Sequence, residues 1–270
     1  MLALVVSVSH TENELASDAL WSLGVVAIEE RVAAAGVELW TSLGDDVVAV
    51  VEVASDRLAR WPWRLVEVDE SVADTWRNHA EPVWIDADLV ICPAWVPFHA
   101  GSGEIVVRIE PGSTFGLGDH PTTRLSLRAV RAALHDGATV LDVGCGSGVL
   151  AIGACMLGAS RAVAIDIAPA SVSVARANAA ANGVADLVDV STTSLADVTG
   201  AFDIVVANIL APTLIELADD LRRVVAPSGV LIVSGVLAEH HEHVEAALRP
   251  FHQTQRSTLD GWAAVTLAAP

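Results

Sequence analysis

Residues 140 to 148 read Val-Leu-Asp-Val-Gly-Cys-Gly-Ser-Gly. The apolar run contains one carboxylate, Asp142, and glycines follow at every second position, Gly144, Gly146 and Gly148. A buried strand that leads into such a loop is typical of α/β folds, because glycine lets the backbone approach a ligand closely. The stretch predicts a parallel sheet with a ligand-binding loop at the end of this strand.

The charge of Asp142 indicates which ligand the loop accepts. Many glycine loops of this kind hold a pyrophosphate, which a nearby carboxylate would repel. A sulfonium cofactor, cationic at its sulfur and at its amino group, would be attracted instead. The loop therefore favours S-adenosylmethionine over NAD or ATP. A dinucleotide stays possible, because residues 146–151 satisfy the relaxed Gly-x-Gly-x-x-Ala fingerprint.

The rest of the chain after residue 104 alternates between strand and helix patterns, which predicts a doubly wound sheet. Strands are expected at 105–109, 139–143, 161–166, 186–190, 202–207 and 229–234, and helices at 121–135, 149–158, 168–182, 212–225 and 238–248. Two further strands, 251–259 and 262–268, flank Asp260-Gly261, a strong hairpin turn. The predicted fold class is α/β, a Rossmann-like sheet that ends in an antiparallel hairpin.

The first part of the chain predicts a small α+β domain. A strand at 2–8 precedes a helix at 11–23, which Thr11 and Glu14 open as a capping box. Shorter strands are expected near 25–30, 37–41 and 46–53, and a helical stretch at 69–79. Proline and glycine in residues 92–104 indicate a linker. We therefore predict domains at 1–60 and 105–270, joined by a linker with a helix at 61–104.

Two polar residues at predicted strand ends are candidate site residues. Asp166 follows the next strand, 22 residues after Gly144, where a carboxylate can accept the hydroxyl groups of an adenosine ribose. Asn208 lies in Ala-Asn-Ile-Leu at the end of a later strand and can present carbonyl oxygens to a substrate N–H group. Taken alone, the pattern favours a turn-forming Asn before a helix, and the other motifs in register favour the functional interpretation.

The segment 110–123 is a candidate lid. It holds three glycines within seven residues around one aromatic residue, Phe115, and Pro121 suits the first turn of the following helix. Thr122 and Thr123 offer hydroxyl and N–H groups in that turn. The segment could close over a cofactor and exclude water, although its composition also fits an ordinary surface loop.

Together these motifs resemble the ribosomal protein L-eleven methyltransferase family. The resemblance rests on Phe-Gly-x-Gly-x-His-Pro-Thr-Thr, Asp-x-Gly-x-Gly-Ser-Gly-x-Leu-Ala-Ile, Ile-Asp-Ile and Ala-Asn-Ile-Leu, and extends from about residue 65 to the end. It implies S-adenosylmethionine as cofactor, with Thr123, Gly144, Gly146, Asp166 and Asn208 at the cofactor contacts and Asn208 as the catalytic residue. Leu117 departs from the family, which usually has Thr at that position.

The resemblance also implies a reaction. It is methyl transfer to amines of a large-subunit ribosomal protein, on lysine side chains, the N-terminal amine or both. The N-terminal domain would grip the substrate protein. A class I methyltransferase for another protein or a small molecule is the alternative. A nucleotide-binding oxidoreductase or a non-catalytic binding module is the third possibility, since a fold alone does not fix a function.

Composition and net charge limit the classes of partner that the chain is expected to bind. The net charge is −19 and all fifteen basic residues are arginine, a balance that repels nucleic acid and attracts a basic protein, although it also serves solubility. No apolar run reaches the length of a membrane helix. Three unpaired cysteines favour the cytoplasm, and the histidines at 240, 241 and 243 are expected on a helix surface, not at a metal. We expect a monomer with no direct nucleic acid or membrane partner.

Overall fold

The computed structural model of the chain describes residues 2–9, 12–21, 23, 28–33, 36–42, 54–55, 57–67, 77, 80–112, 117–239 and 241–270. The chain divides into two compact units, Met1–Ala80 and Glu81–Pro270. Within the described residues, every helix is too short or too polar to cross a lipid bilayer.

The described part of the first unit includes a four-stranded antiparallel sheet and a helix that follows its first strand. Its elements are β1 (Leu2–Val8), α1 (Asn13–Trp21), β2 (Glu29–Ala33), β3 (Gly36–Ser42) and β4 (Trp63–Glu67), and the strand order is β2-β3-β1-β4. Alternate side chains of β1, Leu4 and Val6, pack with Leu20 of α1 because successive strand residues face opposite sides. The small α+β unit predicted from the sequence is therefore present.

The extent of this unit differs from the prediction. Strand β4 pairs along β1, with Arg64 opposite Val5, so the unit continues past the predicted boundary at residue 60. Compactness places the division between Ala80 and Glu81. The predicted strand 46–53 lies outside the described residues, as does most of the predicted helix 69–79.

The second unit contains ten strands and six α-helices within the described residues. The strands are β5 (Val83–Trp84), β6 (Leu89–Pro93), β7 (Ile105–Ile109), β8 (Thr139–Val143), β9 (Arg161–Ile165), β10 (Val188–Ser191), β11 (Phe202–Asn208), β12 (Val225–Leu237), β13 (His252–Leu259) and β14 (Trp262–Ala268). The helices are α2 (Pro121–Ala133), α3 (Val149–Met156), α4 (Pro169–Ala181), α5 (Ala211–Glu216), α6 (Ala218–Arg223) and α7 (Glu242–Ala247).

Seven of these strands form the central sheet, in the order β10-β9-β8-β11-β12-β14-β13. The first five are parallel and the last two add the antiparallel hairpin. Asp260 and Gly261 have φ values of 49° and 82°, as a two-residue hairpin turn requires. The doubly wound sheet with its terminal hairpin is confirmed.

One predicted strand belongs elsewhere. Residues 105–109 were expected in the parallel sheet, but β7 pairs with β6 in a separate sheet of order β5-β6-β7. This small sheet packs its apolar side chains, including Ile91 and Val107, onto the core around α3. Helix α3 is apolar on all sides because it lies between two sheets. The predicted linker 92–104 therefore includes the end of β6.

Two predicted helices are shorter than expected. The helix expected at 212–225 is divided into α5 and α6, and the one expected at 238–248 begins only at Glu242. The second difference arises because β12 continues to Leu237, well past the predicted end at residue 234. A bulge at Gly235 preserves the pairing of β12 with β14 beyond that point, a tertiary contact that local sequence does not encode.

Candidate active site

The predicted site residues line one edge of the central sheet. Gly144, Asp166 and Asn208 come at or just after the carboxyl ends of β8, β9 and β11, which are neighbouring parallel strands. In doubly wound sheets this edge is where ligands bind. The structure brings these residues to one side of the sheet, as the sequence predicted.

The glycine loop turns sharply between β8 and α3. Gly144, Gly146 and Gly148 have φ values of 73°, 51° and 80°, a left-handed conformation that favours glycine. The N–H groups of Gly144 and Cys145 donate to the carbonyl of Ile165 at 2.9 and 3.0 Å, which ties the loop to the end of β9. The loop backbone is thus held in place from the neighbouring strand.

Asp142 is buried beneath this loop, with 1% of its surface exposed. Its Oδ2 accepts a hydrogen bond from the backbone N–H of Ala151 at 3.1 Å. Its Oδ1 is also buried and has no hydrogen-bond partner among the described residues. Desolvation, with a smaller contribution from Asp166, raises the pKa of this carboxyl to about 7, despite the Ala151 hydrogen bond.

The burial of Asp142 changes the charge expected from the sequence. A fully ionised carboxylate was expected, whereas a pKa of about 7 leaves the group only partly ionised at neutral pH. A cation next to Oδ1 would favour the ionised form, and a phosphate would disfavour it. The preference for a cationic ligand therefore remains, and binding should couple to loss of a proton.

Asp166 bridges the glycine loop and helix α4. Its Oδ2 accepts from the N–H of Gly146 at 2.9 Å, and its Oδ1 accepts from the N–H of Ala168 at 2.9 Å. Each carboxylate oxygen has a second lone pair, so both can still accept a hydroxyl hydrogen. The next side chain, Ile167, is 93% exposed. An apolar surface therefore adjoins the acceptor that is expected to bind ribose.

Ile209, the residue after Asn208, lies between two glycines. A Cβ atom on Gly144 would stand 2.5 Å from Cγ2 of Ile209, and one on Gly235 would stand 2.4 Å from the Ile209 carbonyl oxygen. Only glycine permits both approaches, because ordinary carbon contacts need more than 3.4 Å. Ile209 is therefore held between the loop that follows β8 and the bulge in β12.

His120 caps helix α2. Its Nδ1 accepts from the backbone N–H of Thr122 at 3.3 Å and lies 2.7 Å from the Thr122 hydroxyl. The ring meets Trp262 edge to face at 5.0 Å, and burial lowers the pKa of the imidazole. His120 therefore orders the start of its own helix.

Thr123 is fully buried in the first turn of α2. Its N–H donates to the carbonyl of His120 at 3.1 Å, so the backbone groups predicted to face a ligand are already used. The Thr123 hydroxyl oxygen has no hydrogen-bond partner among the described residues. Phe115 and its neighbours 113–116, the centre of the predicted lid, lie outside the described residues.

We also considered metal-binding groups and the cysteine of the glycine loop. The described residues contain no group of three or more His, Cys, Asp or Glu side chains arranged to hold a metal ion. Cys145 is buried, and burial raises the pKa of its thiol, which fits a packing role.

Sequence reasoning gave no role to Ile167 or to Asn178 of α4. The sequence did contain a signal for each of them. Ile167 is an apolar residue directly after a strand-end acid, and Asn178 is an Asn in an Ala-rich helix.

Comparison with known proteins decides the family. The family model described as "Ribosomal protein L11 methyltransferase (PrmA)" matches residues 44–269. The chain belongs to the ribosomal protein L11 methyltransferase family. A family member from Citrifermentans bemidjiense is 44% identical over 208 residues, which are 75% of this chain and 68% of that one. Another, from Geobacter metallireducens, is 50% identical over 177 residues, 65% of this chain and 58% of that one.

A solved structure of the same family supports the fold. The ribosomal protein L11 methylase from Lactobacillus delbrueckii subsp. bulgaricus aligns with a TM-score of 0.65 and 34% identity, over 70% of this chain and 97% of that one. The matches span 58% to 68% of the length of the first curated ribosomal protein L11 methyltransferases.

Proposed function

We propose that this chain transfers methyl groups from S-adenosylmethionine to amine nitrogens of ribosomal protein L11, acting as a monomer in the cytoplasm. The observation that carries the proposal is the buried Asp142 carboxyl behind the glycine loop, one oxygen of which has no hydrogen-bond partner among the described residues. Family membership over residues 44–269 supports the same activity.

The residues at the sheet edge fit this methyl donor. The unpartnered oxygen of Asp142 suits a cationic amino or sulfonium group. Asp166 would accept the ribose hydroxyls, and Ile167 offers an apolar surface beside them for the adenine. At Gly146 the loop backbone can approach a ligand closely because glycine carries no side chain, whereas the space beside Gly144 is taken by Ile209. The buried hydroxyl of Thr123 is a further available donor.

The chemistry requires a neutral amine at the right position. S-adenosylmethionine, when bound, supplies a methyl carbon attached to a cationic sulfur. The side-chain carbonyl of Asn208 and the backbone carbonyls beside it would accept the N–H groups of the incoming amine. They would also stabilise the positive charge that develops on its nitrogen. Positioning the nitrogen about 3–3.5 Å from the methyl carbon would supply much of the acceleration.

A free lysine amine has a pKa near 10.4, so only a small fraction is neutral at pH 7. The Nδ1 of His120 accepts the N–H of Thr122 as the cap of α2, which argues against a role as general base. We therefore propose that the amine loses its proton to solvent before it enters the site. The methylation rate at subsaturating substrate would then rise about tenfold per pH unit below the amine pKa.

Two measurements test the donor and the acceptor separately. Calorimetry should detect binding of S-adenosylmethionine and of S-adenosylhomocysteine, and none of NADH. Mass spectrometry of purified L11 incubated with the chain and the donor should show added methyl groups of 14 Da on lysine or N-terminal nitrogen. Donor binding without L11 methylation would favour a different protein or small-molecule acceptor, and NADH binding would favour an oxidoreductase.

We further propose that the N-terminal unit, Met1–Ala80, recognises the substrate protein. It is a compact unit separate from the one that holds the glycine loop. A net charge of −19 suits a basic partner, whose association should weaken as salt screens the attraction. Hydrogen exchange of the full chain with and without L11 should reveal slower exchange in β1 to β4. Unchanged exchange there at saturating L11 would contradict this role.

A further inference from the structure

Asn178 lies in the last turn of α4 and is 3% exposed. Its Oδ1 accepts from the backbone N–H of Glu110 at 3.0 Å, and its Nδ2 donates to the carbonyl of Glu110 at 3.0 Å. The same Nδ2 donates to the carbonyl of Ser147 at 2.9 Å. One side chain thus connects the residue that follows β7 with the glycine loop.

Helix α4 approaches the glycine loop closely at this place. A Cβ atom on Gly148 would stand 2.9 Å from the Cβ of Ala175. Ala175 and Asn178 are three residues apart and share one face of the helix. Ser147 is fully buried, so its carbonyl depends on a partner within the protein. The Nδ2 of Asn178 is a donor for that carbonyl.

Asn182, one turn further along, offers an internal comparison. Its Oδ1 accepts from the N–H of Arg108 at 2.8 Å, and its Nδ2 donates to the carbonyls of Arg108 and Asn178 at 2.7 and 2.8 Å. Each side-chain amide therefore pairs with the N–H and the carbonyl of one residue at the end of β7, as the backbone of a neighbouring strand would. Of the two, only Asn178 also bonds the glycine loop.

We propose that Asn178 is a positioning residue for the methyl-donor loop, an inference that rests on the proposed function. By holding the Ser147 carbonyl, it fixes the peptide planes of the loop between Gly146 and Gly148. Loss of this donor would remove a hydrogen bond from a buried carbonyl and allow the loop to rotate away from its binding geometry. The contact with β7 alone would affect stability, whereas the contact with Ser147 would affect donor binding.

The test compares Asn178→Asp with Asn182→Asp at pH 8. In each variant a carboxylate keeps the acceptor for the strand N–H and loses the N–H donors. Both variants should lower the melting temperature, because each loses a hydrogen bond to β7 or to the residue that follows it. Asn178→Asp should raise the dissociation constant of S-adenosylhomocysteine at least tenfold, whereas Asn182→Asp should change it less than twofold. KM for the donor should rise in the Asn178 variant, with kcat at saturating donor within twofold of the unaltered chain.

Equal effects of the two substitutions on donor affinity, or no effect of either, would overturn the inference. If Asn178→Asp lacks a cooperative melting transition, Asn178→Ser and Asn182→Ser, which introduce no charge, take their place under the same criteria. Absence of S-adenosylhomocysteine binding by the unaltered chain would overturn the proposed function itself, and the positioning role with it.

Discussion

The carboxylate of Asp142 takes the place of a missing cap at the start of helix α3 by accepting the backbone N–H of Ala151 at 3.1 Å. The residue in the N-cap position, Gly148, has no side chain that could do so. The same carboxyl group is buried and has a second oxygen without a partner among the described residues. One side chain therefore stabilises the helix start and carries the oxygen that we propose binds the methyl donor.

Asp142→Asn should stabilise the ligand-free chain and weaken binding of the methyl donor. The amide keeps an oxygen for the N–H of Ala151 but removes a charge that burial disfavours. At pH 8 the free energy of unfolding should rise, by at most about 4 kcal/mol for a pKa shift of about three units. Urea unfolding and calorimetry with S-adenosylmethionine measure the two effects. A variant that is less stable and binds equally well would contradict this account.

The pH dependence of stability should differ between these two proteins. Burial raises the pKa of Asp142 to about 7, so its contribution to stability is fully present below about pH 4 and is lost as pH rises to 7. The stability advantage of Asp142→Asn should therefore grow from pH 5 to pH 7 and level off above. Unfolding measured at pH 5, 6, 7 and 8 checks this, and a constant difference would rule it out.

Donor binding should release protons near neutral pH. A cation beside Asp142 favours the ionised carboxylate and lowers the pKa of that group. The affinity of the unaltered chain should increase from pH 6 to pH 8, and calorimetry in buffers of different ionisation enthalpy should report proton release. In Asp142→Asn this contribution should disappear. Equal proton release by both proteins would assign the effect to another group.

Gly235→Ala should lower kcat for methyl transfer by more than backbone strain at a positive φ would explain. The added Cβ would stand 2.4 Å from the carbonyl oxygen of Ile209, and would push the backbone that presents Asn208. Gly200→Ala is the matched control, since Gly200 also has a positive φ, 90° against 82°, and nothing lies within 4 Å of an added Cβ. We expect similar backbone strain in both and a loss of kcat of at least tenfold only in Gly235→Ala. Equal kcat values would disprove the coupling.

Asn208→Ala should leave donor binding measurable and reduce methyl transfer by about 100-fold, the usual effect of removing one group that stabilises transition-state charge. Asn208 is the last residue of β11 and pairs with Ser234 of β12 through its backbone, so removing its side chain should leave that pairing intact. Calorimetry with the donor and single-turnover methylation of L11 separate the two steps. Turnover close to that of the unaltered chain would contradict a catalytic role.

Asp203→Asn should destabilise the sheet far from the active site. Its Oδ2 accepts from both the N–H and the hydroxyl of Thr139 at 2.8 Å, and these hydrogen bonds hold the pKa of the carboxyl below its ordinary value. We expect a loss of about 1 kcal/mol at pH 7, the worth of a typical hydrogen bond. The difference should shrink below about pH 4, where protonation removes the contribution from the unaltered chain. Donor affinity should not change.

Local sequence predicted the elements whose pattern is self-contained. The apolar strand into Gly144, the alternating strands and helices that follow, and the turn at Asp260-Gly261 all carry short-range signals. Local sequence does not distinguish the strands of the small sheet, β5 to β7, from those of the main sheet. The two groups differ only in the residues against which they pack. Residues 105–109 were therefore assigned to the wrong sheet.

The sequence by itself determined the strand-loop-helix unit at residues 139–156, the strand-end positions of Asp166 and Asn208, and the acidic charge. These follow from periodicity and from glycine's access to positive φ, which are properties of neighbouring residues. Only the tertiary structure decided that Asp142 is buried with a raised pKa and that Asn178 bonds the glycine loop. Both depend on contacts between residues distant in the chain, and desolvation and hydrogen-bond partners exist only once those residues are packed together.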